Sequence, residues 1–550
     1  MGAPKVAKDL RQQIDQNKKN PSASAEVIVQ FKSAPTKQQL KQLGPYGQVK
    51  KTLDAINGVH ITLSLSAVSA LEADPAIAYI SPDRRTKGLL DITTATAYAT
   101  YAWQYGWDGS GIGVAVIDSG IATDRDLTSA DGLSSRVVYS ESFVPGADAS
   151  DAYGHGTHVA GIVGSNGKDS SGALFKRTFR GVAPNVNLVN LRVLDQNGSG
   201  PESAVISAIQ RAIELKAVYN IRVINLSLGR PVFESYAVDP LCQAVEAAWK
   251  AGIVVVVAAG NYGRDDTQGT KGYGTITSPG NDPYVITVGA MKARGTTSRA
   301  DDTIASYSSK GPTRIDHFVK PDLVAPGNQV ISLLSPNCTL ARLYPRTLLP
   351  EGAYETFGSG SSSDYFRLSG TSMATPVVSG AAALLIHKQP SLTPDQVKAR
   401  LMKTASKVFP QYTFAIESST GFTYYNQSDI FTVGAGYLDI MAALNNSDLV
   451  SLPALSPAAI YDSATRRVSV LRNQSVIWGD SVVWGDSVVW GDSVFARLNG
   501  ASVVWGDSVV WGDAMLAGFS VVWGDTLHVS SAIQATSDTQ SMSAAIDGEE

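Results

Sequence analysis

Short apolar strands alternate with helical patterns from residue 88 to about residue 446, and this alternation limits the fold more than any other property of the chain. The strands are almost continuously apolar, as in GVAVID, RVINLSLG and IVVVVAAGN, and helical spacing separates them, as in ESAVISAIQRAIELKAV. Strands that are apolar on both faces are typical of a parallel sheet covered by helices on both sides. The pattern therefore predicts an α/β domain over residues 88–447, with a doubly wound, mostly parallel sheet.

A smaller domain is predicted before it, over residues 25–87. From Glu26 to Asp83 the patterns follow the order strand, helix, strand, strand, helix, strand, which is the ferredoxin-like α+β plan. A charged stretch, SPDRRTKG, follows and is typical of a domain boundary. Residues 1–24 are polar and Lys-rich, so they are expected to form a loose arm.

The C-terminal segment, residues 448–550, contains six copies of WGD, mostly within the hexapeptide SVVWGD, which predicts a β-rich repeat tail. A row of Trp side chains is suited to binding a carbohydrate or a surface, and the carboxylates of Asp480, Asp486 and Asp492 are suited to binding Ca²⁺. Alternatively, each Gly-Asp-Ser is a turn in a stacked structural appendage. The pattern alone leaves these interpretations open.

Composition excludes several classes of function. The formal net charge is only −4 and the basic residues are scattered, which argues against a nucleic-acid binder. The longest apolar runs are well short of the roughly 20 residues that span a bilayer. The N-terminus, MGAPKVAKDL, has no apolar core of a secretory signal.

Two cysteines, Cys242 and Cys338, either form one disulfide or remain separate thiols.

Two polar residues occupy positions suited to catalysis in the first half of the sheet domain. Asp118 ends the strand GVAVID, and the carboxyl ends of parallel strands are where functional groups gather, although an Asp there also serves as a turn former. His155 lies between glycines at the start of a helical pattern, and imidazole is the natural proton shuttle near neutral pH. His158 lies three residues later, so a metal pair is the rival interpretation, but no further ligands follow a recognisable spacing.

Two more candidates lie in the second half. Ser372 opens the helical pattern GTSMATPVVSGAAALLI, either as an N-cap or as a nucleophile whose backbone N–H faces a developing oxyanion. Asn261 follows the strand IVVVVAAG, either as a turn residue or as a side-chain N–H donor. The four residues together are much stronger evidence for an enzyme than any one of them.

The segments VIDSG, GHGTHVAG, AAGN and GTSMATP resemble the four signature blocks of the subtilisin-like serine peptidases, in the same Asp, His, Ser order. The resemblance covers about residues 25–446. It implies a serine endopeptidase with Asp118, His155 and Ser372 as the catalytic triad, and with Asn261 and the Ser372 backbone N–H as oxyanion donors. Asn rather than Asp at position 261 favours the neutral-to-alkaline branch of the family.

The resemblance also implies how substrate and regulator bind. Two segments would pair with an extended peptide as neighbouring strands: Gly198, Ser199 and Gly200, and Ser227, Leu228 and Gly229. Residues 25–87 would be an inhibitor-type propeptide that is removed by self-cleavage within the region Arg84, Arg85, Thr86, Lys87 and Gly88.

The expected protein is a secreted or cell-surface monomer that acts on protein or peptide substrates, with its own propeptide as inhibitor. It has no nucleic-acid partner and no membrane span. Catalysis needs no cofactor. Family relatives commonly hold structural Ca²⁺, so the resemblance leaves a structural Ca²⁺ open, although no loop of the sequence has a convincing ligand pattern. The alternative hypothesis is a surface or carbohydrate binding protein that acts through the Trp repeats.

Overall fold

The computed structural model describes residues 5–7, 10–11, 14, 24–82, 85–88, 96–267, 269–294, 296, 299–417, 421–462, 467–470, 546 and 548–549. The predicted WGD repeat, from Trp478 to Trp523, lies outside the described residues, as does Arg84 of the predicted processing region. Within the described part of the chain, no helix combines the length and apolar character needed to cross a membrane.

The leading domain has the predicted order of elements. Its four strands form one antiparallel sheet in the order β2-β3-β1-β4. The alternation of apolar residues in these strands gives the domain its own core, which includes Val27, Val59 and Ile80. The bounds are β1 (Ser24–Phe31), α1 (Lys37–Leu43), β2 (Gly47–Leu53), β3 (Gly58–Ser64), α2 (Val68–Ala73) and β4 (Ile77–Pro82).

The N-terminal arm differs from the loose segment that its polarity predicts. Val6, Ala7 and Leu10 are buried in the core of the leading domain, and Val6 pairs with Ile80. The apolar residues of the arm recur at spacings of three or four, so they share one face although most of the residues between them are polar. A few apolar side chains are thus enough to dock the described part of this arm.

A short strand, β5 (Arg85–Gly88), follows the leading domain, and the large domain then supplies the remaining elements. Its helices are α3 (Ala99–Gln104), α4 (His155–Gly164), α5 (Glu202–Tyr219), α6 (Pro240–Lys250), α7 (Thr339–Leu343), α8 (Thr371–Lys388), α9 (Pro394–Thr404) and α10 (Ile440–Asn445). Its strands are β6 (Gly113–Asp118), β7 (Val137–Ser142), β8 (Asn187–Arg192), β9 (Ser199–Pro201), β10 (Ile221–Leu226), β11 (Leu228–Gly229), β12 (Val254–Ala258), β13 (Ile286–Lys292), β14 (Thr303–Ile304), β15 (Leu323–Pro326), β16 (Val330–Leu333), β17 (Leu348–Pro350), β18 (Ser361–Leu368), β19 (Tyr412–Ile416), β20 (Thr423–Gln427), β21 (Ala459–Asp462) and β22 (Arg467–Val470).

The central sheet of the large domain is mostly parallel, as predicted. Its strand order is β14-β13-β12-β10-β6-β8-β7, β15 also pairs with β13, and the β13–β14 pair is antiparallel. Helices α4 and α8 contact each other on one face, and α5 and α6 contact each other on the opposite face. Since the inner strands are covered on both sides, nearly all of their residues are buried, whereas the residues of the edge strand β7 are half-buried or exposed.

The leading domain packs against α5 and α6 of the large domain. Ile28, Leu53 and Ile56 belong to the core of the large domain rather than to the separate core of the leading domain. At the same surface, the backbone N–H of Asp54 donates to Oε1 of Gln210 at 2.9 Å. The two domains therefore share buried apolar surface as well as a chain connection.

Candidate active site

Asp118 and His155 meet in a buried hydrogen bond. Asp118 is the last residue of β6 and His155 the first residue of α4, and His155 Nδ1 lies 2.7 Å from Asp118 Oδ1. Both side chains are fully buried. Asp118 Oδ1 also accepts the backbone N–H of Ser119 at 2.7 Å. This carboxylate is therefore placed to orient the imidazole and to stabilise its protonated form.

Asp151 holds the two segments of this pair together, and the sequence analysis did not find it. Its carboxylate accepts the Ser119 hydroxyl at 2.8 Å and the backbone N–H groups of Gly154 and Thr157 at 2.7 and 2.8 Å. Burial raises the pKa of the Asp151 carboxyl. Asp151 lies in a loop without a recognisable motif, so only its contacts reveal this role.

His158, the rival metal candidate, is directed away from the Asp118–His155 pair. Its Nε2 lies 3.2 Å from the carbonyl oxygen of Val330, and its ring packs edge to face against Phe366 at 5.0 Å. Burial, with a smaller effect of neighbouring His155, lowers the pKa of His158 to about 3. A neutral, buried ring in this position is a packing element of α4.

Ser372 is the second residue of α8 and lies against the end of β10. Its hydroxyl donates to the carbonyl oxygen of Ser227 at 3.1 Å, and the Ser227 hydroxyl donates to the carbonyl oxygen of Ser372 at 2.7 Å. Because α4 and α8 pack together, the helix starts that carry His155 and Ser372 are parts of one packed layer. In this resting arrangement the nucleophile candidate bonds to Ser227.

Asn261 is held by the residue that precedes Ser372. Its Oδ1 accepts the backbone N–H of Thr371 at 3.0 Å and lies 3.1 Å from the Thr371 hydroxyl. Its Nδ2 is buried and has no hydrogen-bond partner among the described residues. A buried N–H group without a partner is costly, so it marks a position where an acceptor is expected to bind.

The predicted substrate segments lie on either side of β5. In this three-stranded sheet Thr86 is opposite Gly200 of β9, and Lys87 is opposite both Ser199 of β9 and Gly229 of β11. Gly88 is opposite Leu228 of β11, and Arg85 is opposite Pro201 of β9. Of the other predicted residues, Gly198 lies in the turn before β9, and Ser227 contacts Ser372. The chain's own strand thus fills the gap between the two edges.

Three acidic residues form a second cluster that the sequence analysis missed. Asp124, Asp126 and Asp169 each have a carboxylate oxygen within 4.8 Å of the others. Burial, opposed by a hydrogen bond and reinforced by nearby carboxylates, raises the pKa of Asp124 to about 7. Such oxygen ligands suit Ca²⁺. Asp169 is remote along the chain from the other two, so no spacing pattern could reveal the cluster.

The two cysteines are separate. Cys242 and Cys338 are both buried free thiols. Cys242 Sγ lies 3.4 Å from Oδ1 of Asn281, while the backbone of Cys338 precedes α7. Burial raises the pKa of Cys338 to about 11, so its thiol is protonated at neutral pH. The structure therefore shows two separate thiols and no disulfide between Cys242 and Cys338.

Comparison with known protein families gives a match within the large domain. Residues 109–428 match the Subtilase family of peptidases. The serine protease AprX of Bacillus subtilis (strain 168) is 37% identical over 373 residues, which are 66% of this chain and 76% of the relative. Subtilisin E of the same organism is 34% identical over 400 residues, or 70% of this chain and 86% of the relative. An alkaline protease of Shouchella clausii is 34% identical over 359 residues, or 64% of this chain and 76% of the relative.

Proposed function

Since this chain belongs to the subtilase family and is a serine peptidase, we propose that Asp118, His155 and Ser372 are its catalytic triad. Ser372 Oγ attacks the carbonyl carbon of the scissile peptide bond while His155 takes its proton. His155 then gives that proton to the leaving amine, which produces an acyl-enzyme, and water releases the acyl group by the same route. The observation that carries this proposal is the buried 2.7 Å contact between His155 and Asp118.

The nucleophile must change its hydrogen bond before it reacts. The bond from Ser372 to the Ser227 carbonyl describes the resting state, and the proposal requires that a rotation of the Ser372 side chain bring its hydroxyl to the imidazole. Catalytic hydrogen bonds are often long or misaligned in enzymes without substrate and tighten in the Michaelis complex. The resting bond is therefore compatible with the triad.

Asn261 and the backbone N–H of Ser372 are the proposed oxyanion donors. Asn261 Nδ2 is buried and finds no partner among the residues that the structure describes, while its Oδ1 is fixed by Thr371, the neighbour of the proposed nucleophile. A donor that is already fixed costs no reorganisation when negative charge develops on the carbonyl oxygen. The donor is neutral, so it needs no proton to function at alkaline pH.

A fluorophosphonate probe tests the nucleophile. We expect labelling of the processed protein and no labelling of Ser372→Ala, with Ser363→Ala, an exposed serine, as the matched control. Labelling that persists in Ser372→Ala would reject the proposed triad.

We further propose that the leading domain is a propeptide that the chain itself removes. The support is the antiparallel register of β5, in which Lys87 is opposite Gly229 and Gly88 is opposite Leu228. A peptide that keeps this register brings its next residue opposite Ser227, the residue that accepts the Ser372 hydroxyl. Cleavage is therefore expected one or two bonds after Gly88, at the C-terminal border of the predicted processing region.

N-terminal sequencing of the expressed protein tests this step. The mature chain should begin one or two residues after Gly88, and Ser372→Ala should keep its original terminus. A fully active enzyme that retains the leading domain would contradict the proposal.

Asp124, Asp126 and Asp169 are the residues that we propose to hold structural Ca²⁺. A divalent cation there would offset the repulsion among three close carboxylates and join the chain after β6 to the chain after α4. Catalysis itself needs no cofactor in this proposal.

The substrates are proteins, and we place the enzyme outside the cell, where a broad protease does not attack the cytoplasm. Proteolytic activity in the culture medium, compared with the cell fraction, tests this location. The alternative, binding through the Trp repeats, has no support from the family match, which ends at residue 428.

A further inference from the structure

A short segment near the end of the chain is buried in the large domain. Ile546 is 7% exposed and belongs to the main core, and Glu549 is 4% exposed. Gly548 lies against Ser369, and a Cβ atom at position 548 would be 2.4 Å from Ser369 Oγ. Since Gly548 also has a φ of +66°, this position favours glycine on two independent grounds. We call Ile546, Gly548 and Glu549 the C-terminal latch.

The side chain of Glu549 enters a polar pocket that binds one oxygen of its carboxylate. Its Oε1 lies 2.9 Å from Nη2 of Arg264 and accepts the backbone N–H of Ser306 at 2.8 Å. The Ser306 hydroxyl also donates to this oxygen and itself accepts Nε of Arg264 at 2.7 Å. A guanidinium, a hydroxyl and a backbone N–H thus converge on one buried oxygen.

The backbone of Glu549 is held as tightly as its side chain. Glu549 N donates to Oδ1 of Asn328 at 2.9 Å, and Nδ2 of Asn328 donates to the carbonyl oxygen of Glu549 at 2.8 Å. This reciprocal pair resembles the pairing of two strands. The pocket therefore recognises both the backbone and the acid of one residue.

The walls of this pocket are continuous with the active site. Arg264 lies three residues after Asn261, and Ser369 lies three residues before Ser372. Gln329, next to Asn328, donates its backbone N–H to Ser369 Oγ at 3.1 Å.

Further hydrogen bonds connect the same loops at the nucleophile. Gly370 N donates to the carbonyl oxygen of Gly327 at 2.7 Å, and Thr371 N donates to Oδ1 of Asn261 at 3.0 Å. The loop after β15, the start of α8 and the loop after β12 are therefore linked in one hydrogen-bonded chain.

We propose that Glu549 is a positioning residue for the reaction: the C-terminal latch fills this pocket and fixes the two loops that carry Asn261 and Ser372. The inference rests on the proposed roles of those two residues.

Glu549→Ala tests the latch in the full chain. We expect kcat to fall about ten- to a hundredfold, because a catalytic group that is displaced by up to about 1 Å reacts more slowly. KM should stay within about twofold of the parent value. The rate of fluorophosphonate labelling should fall in parallel. Glu549→Gln, which keeps an acceptor oxygen but loses the charge, should lie between Glu549→Ala and the parent.

Glu214→Ala is the matched control. Glu214 also pairs with an arginine, Arg211, at 2.5 Å, but this pair is on the exposed surface of α5. The control should keep the kcat of the parent. Equal kcat and equal labelling rates in Glu549→Ala and the parent would overturn the proposal.

A chain that ends at Ala545 gives a second test that does not depend on the folding of Glu549→Ala. A synthetic peptide of residues 546–550, IDGEE, should restore its activity in a saturable manner, and the same peptide with Gln at the position of Glu549 should restore less. Full activity of the shortened chain without peptide would refute the latch. A parent enzyme that the probe does not label would instead refute the proposed triad, so the two failures are distinguishable.

Discussion

At the scale of single residues, the geometry of the site gives a direct prediction for Asn261. Its Nδ2 is buried and has no partner in the described part of the chain, and replacement by Ala removes this donor together with the Oδ1 contacts to Thr371. We expect Asn261→Ala to lower kcat about 10²- to 10³-fold with little change in KM. Steady-state kinetics on a peptide amide measures this effect.

A second variant at the same position separates donor loss from loss of shape. In Asn261→Asp the carboxylate cannot donate until it is protonated, so its kcat relative to the parent should improve as pH falls. A ratio that does not change with pH would mean that position 261 contributes only packing.

Asp124 gives a prediction about stability and pH. Its pKa in the folded protein is raised to about 7, mainly by burial, from the value of about 4 that is usual for Asp. The unfolded chain therefore releases this proton more readily, and metal-free protein should lose stability as pH rises from about 4 to about 7. Thermal melting in EDTA measures this loss, which Asp124→Asn should reduce.

Calcium should act on the same cluster. Added Ca²⁺ is expected to raise Tm above pH 7 and to do so much less in Asp124→Asn. Equal melting temperatures with EDTA and with Ca²⁺ would exclude the proposed ion.

The three residues of the proposed triad could be selected from the sequence, because each of them lies within a continuous motif at the end of a strand or the start of a helix. Asp151 and the Asp124 cluster were not predicted. Their carboxylates act through contacts between segments that are distant along the chain, and such contacts leave no spacing pattern. Glu549 was missed for the same reason: its partners Arg264, Ser306 and Asn328 lie far from it in the sequence.

At the scale of elements, the pairing of β5 with β9 and β11 depends on close backbone approach. A Cβ atom on Gly200 would lie 2.1 Å from the carbonyl oxygen of Val193, so any side chain there must displace β9. Gly200→Ala should therefore raise KM severalfold for peptides long enough to pair with β9. Hydrolysis of a short ester that does not reach β9 serves as the internal control.

The element order of both domains followed from apolar periodicity, because each strand or helix carries its own pattern. The pairing partners did not follow from it. Sequence periodicity identifies strands but not their registers, so no pattern predicts that Lys87 lies opposite Gly229.

At the scale of the whole molecule, the leading domain is bound through the core of the large domain. Leu53 is fully buried there, and Leu53→Ala should weaken docking by about 2–5 kcal/mol. Under the proposed self-cleavage and inhibition by the leading domain, activity should then appear sooner than in the parent. Tyr46→Ala, at a more exposed position of the same domain, should leave the time before activity appears unchanged. If that time is unchanged in both variants, the proposed inhibitory contact lies elsewhere.

The central position of β5 has one more consequence. In the proposed processing that strand departs, and β9 and β11 are left as two facing edges whose backbone donors and acceptors need a partner. Only a fully extended chain can satisfy both edges at once. A stably folded protein seldom offers such a stretch, since its strands are already paired. The mature enzyme should therefore attack loosened termini, linkers and partly unfolded chains first, and the pace of digestion should follow how often the target opens rather than which side chains it displays.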